Sequence, residues 1–564
     1  MSIRLATHHR PSHRLIRVFA IRAMSPHDPA PEPYLHRACD RCRRKKARCD
    51  SVDYSCTGCR GAGQACTFDI PPGKRGPRGK PRRNNIADAP NDTSQRHHNP
   101  LETSLSPSSF ASATVQAAQP SPHSHSPAAL SSQRPHHPTP LERCGLLADA
   151  VAQASSSLTS LEAVVRECTD LFFRYIVPFS TSVHEPSFRH SLDQFFGTSP
   201  PGASPSQSTF TLITAVCAKV CFFVPSDLYP VGDSLAETFL QASRSCLASY
   251  ADVDLENPCA DSITIRYLHS NCLHTCARPA VSWQVFGEAV RLVQRMCLHD
   301  EDSYASLPPI EADMRRNAFW HIYIGDKSLA VLRSMPITIY NYSFEGGITT
   351  AYPSSEQNEF TLGSNAGIRL WQYATELLMR MRLIKEVQGP DPDQPHSPFT
   401  PADHATLGQL YVRFAICIDN LPPHLLPGSV ALSGGDLNSA NTKFAAQIAD
   451  LHVTYHCLKM HLTRRLEEIG YFSCIGEYKG MLVLRKTEIA RDMVRLLQTL
   501  PFWSLQVNGE PCAEKVRLVG ASLLAIIHEP SPLATRARHD FTVLLDILSQ
   551  LDSKASDALR RELP

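Results

Sequence analysis

Six cysteines fall between residues 38 and 69 with the spacing C-x2-C-x6-C-x6-C-x2-C-x6-C: Cys39, Cys42, Cys49, Cys56, Cys59 and Cys66. The unit C-x2-C-x6-C occurs twice, so the segment reads as two related metal-binding halves. A C-x2-C pair brings two sulfurs close enough to clamp one ion, which suits zinc's tetrahedral preference at about 2.3 Å per thiolate. Six thiolates divided between two ions give three each, so four-coordination of both requires two bridging sulfurs. Symmetry favours the first cysteine of each half, Cys39 and Cys56, as the bridges. Two divalent ions against six thiolates leave a net charge of about −2, which neighbouring Arg and Lys residues offset.

Other cysteine chemistries fit poorly. No secretory signal is visible, and the thirteen cysteines outside the segment are scattered singly through apolar stretches. Cys217, Cys272, Cys297 and Cys417 are predicted to be free, buried thiols of a reducing compartment. A thioredoxin-type redox pair needs a βαβ setting, and none is legible. The longest strongly apolar run, Leu518 to Ile527, is about half of the ~20 residues that a membrane helix requires, so no membrane partner is expected.

The charge distribution identifies a partner for the cysteine segment. The chain carries a formal +2, but Arg37 to Arg83 holds fourteen Lys and Arg against four Asp, a local +10 that leaves −8 elsewhere. A small basic head on an acidic body points to a polyanion. The run RRKKAR, Arg43 to Arg48, follows Cys42 without Pro or Gly, and is predicted to form a short metal-pinned helix. Such a helix presents cations to a DNA groove, most of them to phosphates and one or two to base edges.

Composition divides the rest. At 564 residues the chain exceeds one ordinary domain. Residues 1–37 are predicted to be a disordered arm, 38–69 the cysteine head, 70–140 a basic and then Ser/Pro/His-rich disordered linker, and 141–564 an all-α domain. Residues 1–27 hold five Arg and no acid. That composition resembles a mitochondrial presequence, but the preferred reading is a basic arm or sequence upstream of a start at Met24. The linker histidines, His97, His98, His123, His125, His136 and His137, are taken as polar filler.

The segment ACDRCRRKKARCD…CTGCRGAGQACTF resembles the fungal binuclear zinc cluster transcription factors, whose pattern is C-x2-C-R-x-R-K-x-K-C. The resemblance implies that Cys39, Cys42, Cys49 and Cys56 hold one zinc ion, and Cys56, Cys59, Cys66 and Cys39 the other. By position Lys46 matches the family's base-reading lysine and Lys45 its neighbour, implying a CGG-like half-site. Arg43, Arg44 and Arg48 are expected at phosphates or as partners of the metal complex. Lys74, Arg75, Arg78, Lys80, Arg82 and Arg83 are expected along the phosphates beyond the half-site, doubling as a nuclear-localisation patch. The family usually has Pro two residues before the fourth cysteine, where this chain has Tyr54, so a looser loop between the halves is expected.

A more diffuse resemblance covers residues 165–340. FFRYIVPFSTSVHEPSF (Phe172, Pro178, His184, Pro186, Phe188) is similar to the entry of the fungal transcription factor regulatory domain. ADMRRNAFWHIYIGDKSLAVLRSMPI is similar to its central motif, with Arg315, Arg316, Phe319, Trp320, Asp326 and Pro336 at the recognisable positions. Phe319 and Trp320 are expected to be core anchors, and Arg315 and Arg316 surface or inter-helix pairing residues.

Enzyme chemistry finds no support. His452 and His456 form H-x3-H but lack the Glu of a zinc protease, and GSNAG at 363–367 lacks the Lys-Ser/Thr of a phosphate loop. Leu147, Val151, Ala154, Leu158, Leu161, Val165, Cys168 and Phe172 follow a 4-3-4-3 spacing. With few charges flanking that seam, it is expected to be the body's first packed helix rather than a coiled coil. The expected protein is therefore a nuclear, DNA-binding transcription regulator of RNA polymerase II genes with two zinc ions. It is expected to act as a homodimer that contacts the transcription machinery or co-regulators and controls a metabolic or secondary-metabolite gene cluster. The alternative is a helical interaction or sensor protein whose zinc head contacts protein.

Overall fold

The computed structural model describes residues 39–45, 49, 56–67, 138–154, 160–197, 206–354, 358–388, 400–431, 442–472, 478–528 and 532–551. Two compact units form, one within residues 22–132 and a larger one containing 133–564. The small unit contributes two short helices, α1 (Asp40–Arg44) and α2 (Thr57–Arg60).

The large unit is helical, and no strand occurs among the described residues. Its first helices are α3 (Pro140–Ala154), α4 (Leu161–Leu171), α5 (Glu185–Phe196), α6 (Gln207–Phe223) and α7 (Gly232–Glu256). The middle holds α8 (Ala260–Thr275), α9 (Pro279–Arg295), α10 (Pro309–Arg333), α11 (Thr361–Gln388) and α12 (Pro401–Ala415). The last part holds α13 (Pro427–Ala431), α14 (Ala445–Glu468), α15 (Tyr478–Thr499), α16 (Phe502–Gln506), α17 (Gly509–Ile527) and α18 (Leu533–Gln550). Local chemistry sets several starts. Pro occupies the first turn of α9, α10 and α12, where a missing N–H costs nothing. Thr400 Oγ1 accepts from Asp403 N at 3.1 Å to cap α12.

Three apolar cores run through this unit. The first joins α3 to α9, the second joins α9 to α12 with α14, and the third joins α13 to α18. Helix α14 reaches all three, through Ala446 in the first, Leu451 and Leu458 in the second, and Ile448 and Met460 in the third. Helix α6 is buried on every side from Phe210 to Phe223, as a helix with no polar face must be. Phe319 and Trp320 are fully buried anchors of the second core. Arg315 pairs with Glu311 at 2.6 Å and Arg316 with Glu301 at 2.7 Å, as expected of pairing residues.

Two expectations need correction. The 147–172 seam is not one helix: α3 ends at Ala154, and α4 begins afresh at Leu161 with Ser160 Oγ accepting from Ala163 N at 3.2 Å. Serine competes for backbone hydrogen bonds and favours caps over helix interiors, and the extended cap at Ser160 breaks the helical run. Leu147, Val151, Val165, Cys168 and Phe172 are nevertheless buried in the first core, so the seam packs into the body; Leu158 lies outside the described residues. Cys297 is exposed, and Cys417 only half-buried, whereas Cys217 and Cys272 are buried. The reason at Cys297 is backbone: α9 stops at Arg295, and Cys297 adopts a left-handed φ of 53° beyond the helix end.

Candidate metal centre and nucleic-acid interface

The head folds around its sulfurs. Cys39, Cys42, Cys56 and Cys59 are buried, and Cys49 and Cys66 partly so. Their sulfurs form two groups of four, each within 4.8 Å: Cys39, Cys42, Cys49 and Cys56, and Cys39, Cys56, Cys59 and Cys66. Cys39 and Cys56 belong to both, the two positions that counting and symmetry single out. The Sγ atoms of Cys39 and Cys56 are 4.0 Å apart, those of Cys42 and Cys56 3.6 Å, and those of Cys39 and Cys59 3.6 Å. A tetrahedron with bonds of about 2.3 Å has an edge of about 3.8 Å, so the spacing fits two zinc ions sharing a pair of thiolates.

The halves are also built alike. Cys39 N points at Cys49 Sγ at 3.5 Å, and Cys56 N donates to Cys66 Sγ at 3.2 Å, each across ten residues. Each C-x2-C pair straddles a helix start, with Cys42 in α1 and Cys59 in α2. Cys56 caps α2 through an N–H···S bond from Cys59 at 3.3 Å. The backbone N–H of Cys59 aimed at that sulfur pulls the Cys56 thiol down to about 6, favouring the thiolate that a metal needs. Asp40 N donates to Thr67 O at 2.8 Å and ties the end of the second half to the start of the first.

The basic run is only partly visible. Helix α1 begins at Asp40 and ends at Arg44, earlier than the run itself, with Lys45 N still bonded to Arg41 O at 3.0 Å. The helix therefore starts on the Asp40–Cys42 turn beside the sulfurs, ahead of the cationic stretch. Arg44 and Lys45 are exposed on the head's surface. The side chain of Arg43, and Lys46 and Arg48 entirely, lie outside the described residues, as do Tyr54 and Lys74, Arg75, Arg78, Lys80, Arg82 and Arg83.

In the body, the remaining candidate sites resolve into structure. His452 Nε2 lies 3.0 Å from Leu425 O, so that nitrogen carries the proton and has no lone pair for a metal. Burial pushes the His456 imidazole down to about 3 and keeps it neutral. Asp326, 4% exposed, accepts from Thr338 N at 3.0 Å and Ile339 N at 3.1 Å and pairs with buried Lys327 at 2.8 Å. It thereby pins residues 338–339 to α10. Lys219 is a buried cation that sequence reading passed over, a single charge inside the largely apolar run of α6. Among the described residues no helix is long and apolar enough to cross a membrane.

Two sulfur tetrads sharing two cysteines define a binuclear metal-cluster head, and a large helical unit accompanies it in the chain. Residues 37–75 match the fungal Zn(2)-Cys(6) binuclear cluster domain, and residues 169–378 match the fungal specific transcription factor domain. The chain therefore carries the two domains that mark fungal binuclear zinc cluster transcription factors, and its head domain is of the kind that binds two zinc ions. It is similar to the citrinin biosynthesis transcriptional activator of Monascus ruber, 26% identical over 54% of this chain and 61% of that one. The corresponding activator of Monascus purpureus is also 26% identical, over 54% of each chain. Activator of stress genes 1 of Saccharomyces cerevisiae is 25% identical over 67% of this chain and 40% of its own. The chain thus spans about half the length of the curated relatives it matches. No solved structure matches it.

Proposed function

We propose that this chain is a nuclear regulator of RNA polymerase II transcription that reads CGG-like half-sites through its zinc head. The observation that supports it best is the pair of sulfur tetrads sharing Cys39 and Cys56, with Arg44 and Lys45 exposed at the end of the adjoining helix. In this reading Cys39, Cys42, Cys49 and Cys56 hold one zinc ion and Cys39, Cys56, Cys59 and Cys66 the other. The ions supply no reaction; they replace the apolar core that about thirty residues cannot build. Lys46 and Lys45 meet the O6 and N7 acceptors of guanine, while Arg43, Arg44, Arg48 and the linker cations from Lys74 to Arg83 position the head on phosphates.

A three-base half-site has only about 64 alternatives, so useful specificity needs a second head at fixed spacing and hence a homodimer. The helical body is the expected source of most dimer contact and of contacts with co-regulators. Two of the relatives are citrinin biosynthesis activators, and another similar protein is an aurofusarin cluster transcription factor of Gibberella zeae. These names favour a secondary-metabolite gene cluster as the target.

Selection of bound duplexes from a random pool by the full chain tests the reading. Paired CGG-like triplets at one spacing are expected. An unenriched pool, with the head instead retaining a protein partner, would replace DNA reading with the protein-contact alternative.

A further inference from the structure

The helical body holds a cavity of about 180 Å³ that is partly open to solvent. Its walls come from α6, α8, α9, α10, α11, α14 and α17, and its apolar surface includes Phe286, Trp320 and Trp371. Protein pockets for small molecules combine such an apolar lining with a few placed polar groups.

The charges in the wall are paired, with one exception. Lys515 Nζ lies 2.8 Å from Asp450 Oδ1 and 2.7 Å from Thr454 Oγ1. Glu514 pairs with Arg333 and lies 3.5 Å from His274 Nε2. Lys219, 3% exposed, has no hydrogen bond and no ion pair among the described residues. Its Nζ rests 3.1 Å from the centre of the Phe223 ring, a contact that accepts a cation but does not neutralise it. A buried ammonium without a counter-ion is costly, and it is retained in a wall that faces open space. A second wall group, Gln447 Oε1, is buried without a donor, while its Nε2 donates to Phe360 O at 2.7 Å.

We propose that this cavity binds a small, largely apolar organic anion, a carboxylate or another acidic group, whose charge pairs with the Lys219 ammonium. The aromatic walls take the body of the molecule. Burial lowers the Lys219 amine to about 7, so an arriving anion also restores its charge. Calling the ligand an effector rests on the transcription-factor reading; binding itself does not.

Two fluorescent probes test this on the purified full chain without DNA: 1-anilinonaphthalene-8-sulfonate, an aromatic anion, and N-phenyl-1-naphthylamine, the same ring system without the charge. Both are expected to bind saturably at one site. Lys219→Met is expected to weaken the anion by about tenfold or more while leaving the neutral probe within about twofold, and Lys219→Arg to restore the anion. Gly367 lines the cavity on α11, and a Cβ there meets nothing within 4 Å. Gly367→Leu therefore fills the space from within a helix that prefers Leu to Gly, and is expected to exclude both probes. Equal weakening of the two probes by Lys219→Met, no weakening of either, or full binding of both to Gly367→Leu overturns the proposal. Loss of DNA reading in a separate assay leaves these outcomes unchanged.

Discussion

Cys39 and Cys56 approach each other to 4.0 Å between sulfurs, and each belongs to both tetrads of the head. Replacing either with Ala is expected to cost both zinc ions, whereas Cys42→Ala is expected to cost mainly the one held by the first tetrad. Native mass spectrometry of the full chain counts the ions directly. Loss of a single ion from Cys39→Ala would contradict sharing.

Base reading and phosphate positioning should separate experimentally. Lys46→Ala is expected to cost about 1–3 kcal/mol on the preferred half-site and to relax discrimination at one guanine. Neutralising Lys80, Arg82 and Arg83 together should instead weaken all duplexes alike and reduce the salt slope of log K by about 0.9 per cation removed. Titration of specific and scrambled duplexes at several salt concentrations distinguishes the two patterns.

Asp326 is expected to be the most sensitive polar residue of the central motif. Asp326→Ala strands a lysine that is 1% exposed and two backbone N–H groups, and is expected to destabilise the body by about 3–5 kcal/mol. The double change Asp326→Ala with Lys327→Met removes the stranded charge and should recover part of that loss. Urea unfolding of the two variants measures both values.

Lys219 makes stability depend on pH in a defined direction. Its amine titrates at about 7 in the folded chain, against an ordinary 10.5. Between those values the unfolded chain binds one more proton, so this residue makes stability rise with pH, by up to about 1.4 kcal/mol per unit. Four other groups around the cavity are held by their surroundings: burial holds His321 down at about 4 and raises Tyr267, while ion pairs keep Lys515 raised and Glu514 lowered. Lys219→Met is therefore expected to stabilise the chain most near pH 7 and progressively less toward pH 10. Denaturant titrations at pH 7, 8.5 and 10 follow this difference, and a constant difference would refute it.

Gly509 opens α17 at φ +64°, and a Cβ there would lie 2.5 Å from Phe223 Cε1. Gly509→Ala is expected to cost about 2 kcal/mol or more from backbone strain and overlap combined. Trimming the ring with Phe223→Leu in the same chain should return the overlap share, read as a partial recovery of the thermal midpoint.

The parts of this molecule that were legible in its sequence are those encoded over short distances. The six cysteines declare their pairing because ten-residue spacings repeat, and the body declares its helices because apolar residues recur every three or four positions. Serine chemistry at Ser160 broke a seam that periodicity alone had joined. The exposure of Cys297 followed from a left-handed residue that no apolar pattern marks. Asp326 gave no hint of Thr338 and Ile339, whose backbone it holds, because backbone amides carry no residue-specific signal. The cavity was invisible for a related reason: Lys219, Gly367, Gln447 and Lys515 meet only after about 300 residues have folded around α14.

Because α14 threads all three cores, the body cannot be shortened past α14 and remain itself. A premature stop before residue 445 would remove an element from every core at once, and one between 469 and 509 would leave the cavity without the wall carrying Glu514 and Lys515. Truncating alleles of this gene should therefore behave as complete losses of the body rather than as graded series, and inheritance can alter it by substitution far more readily than by deletion.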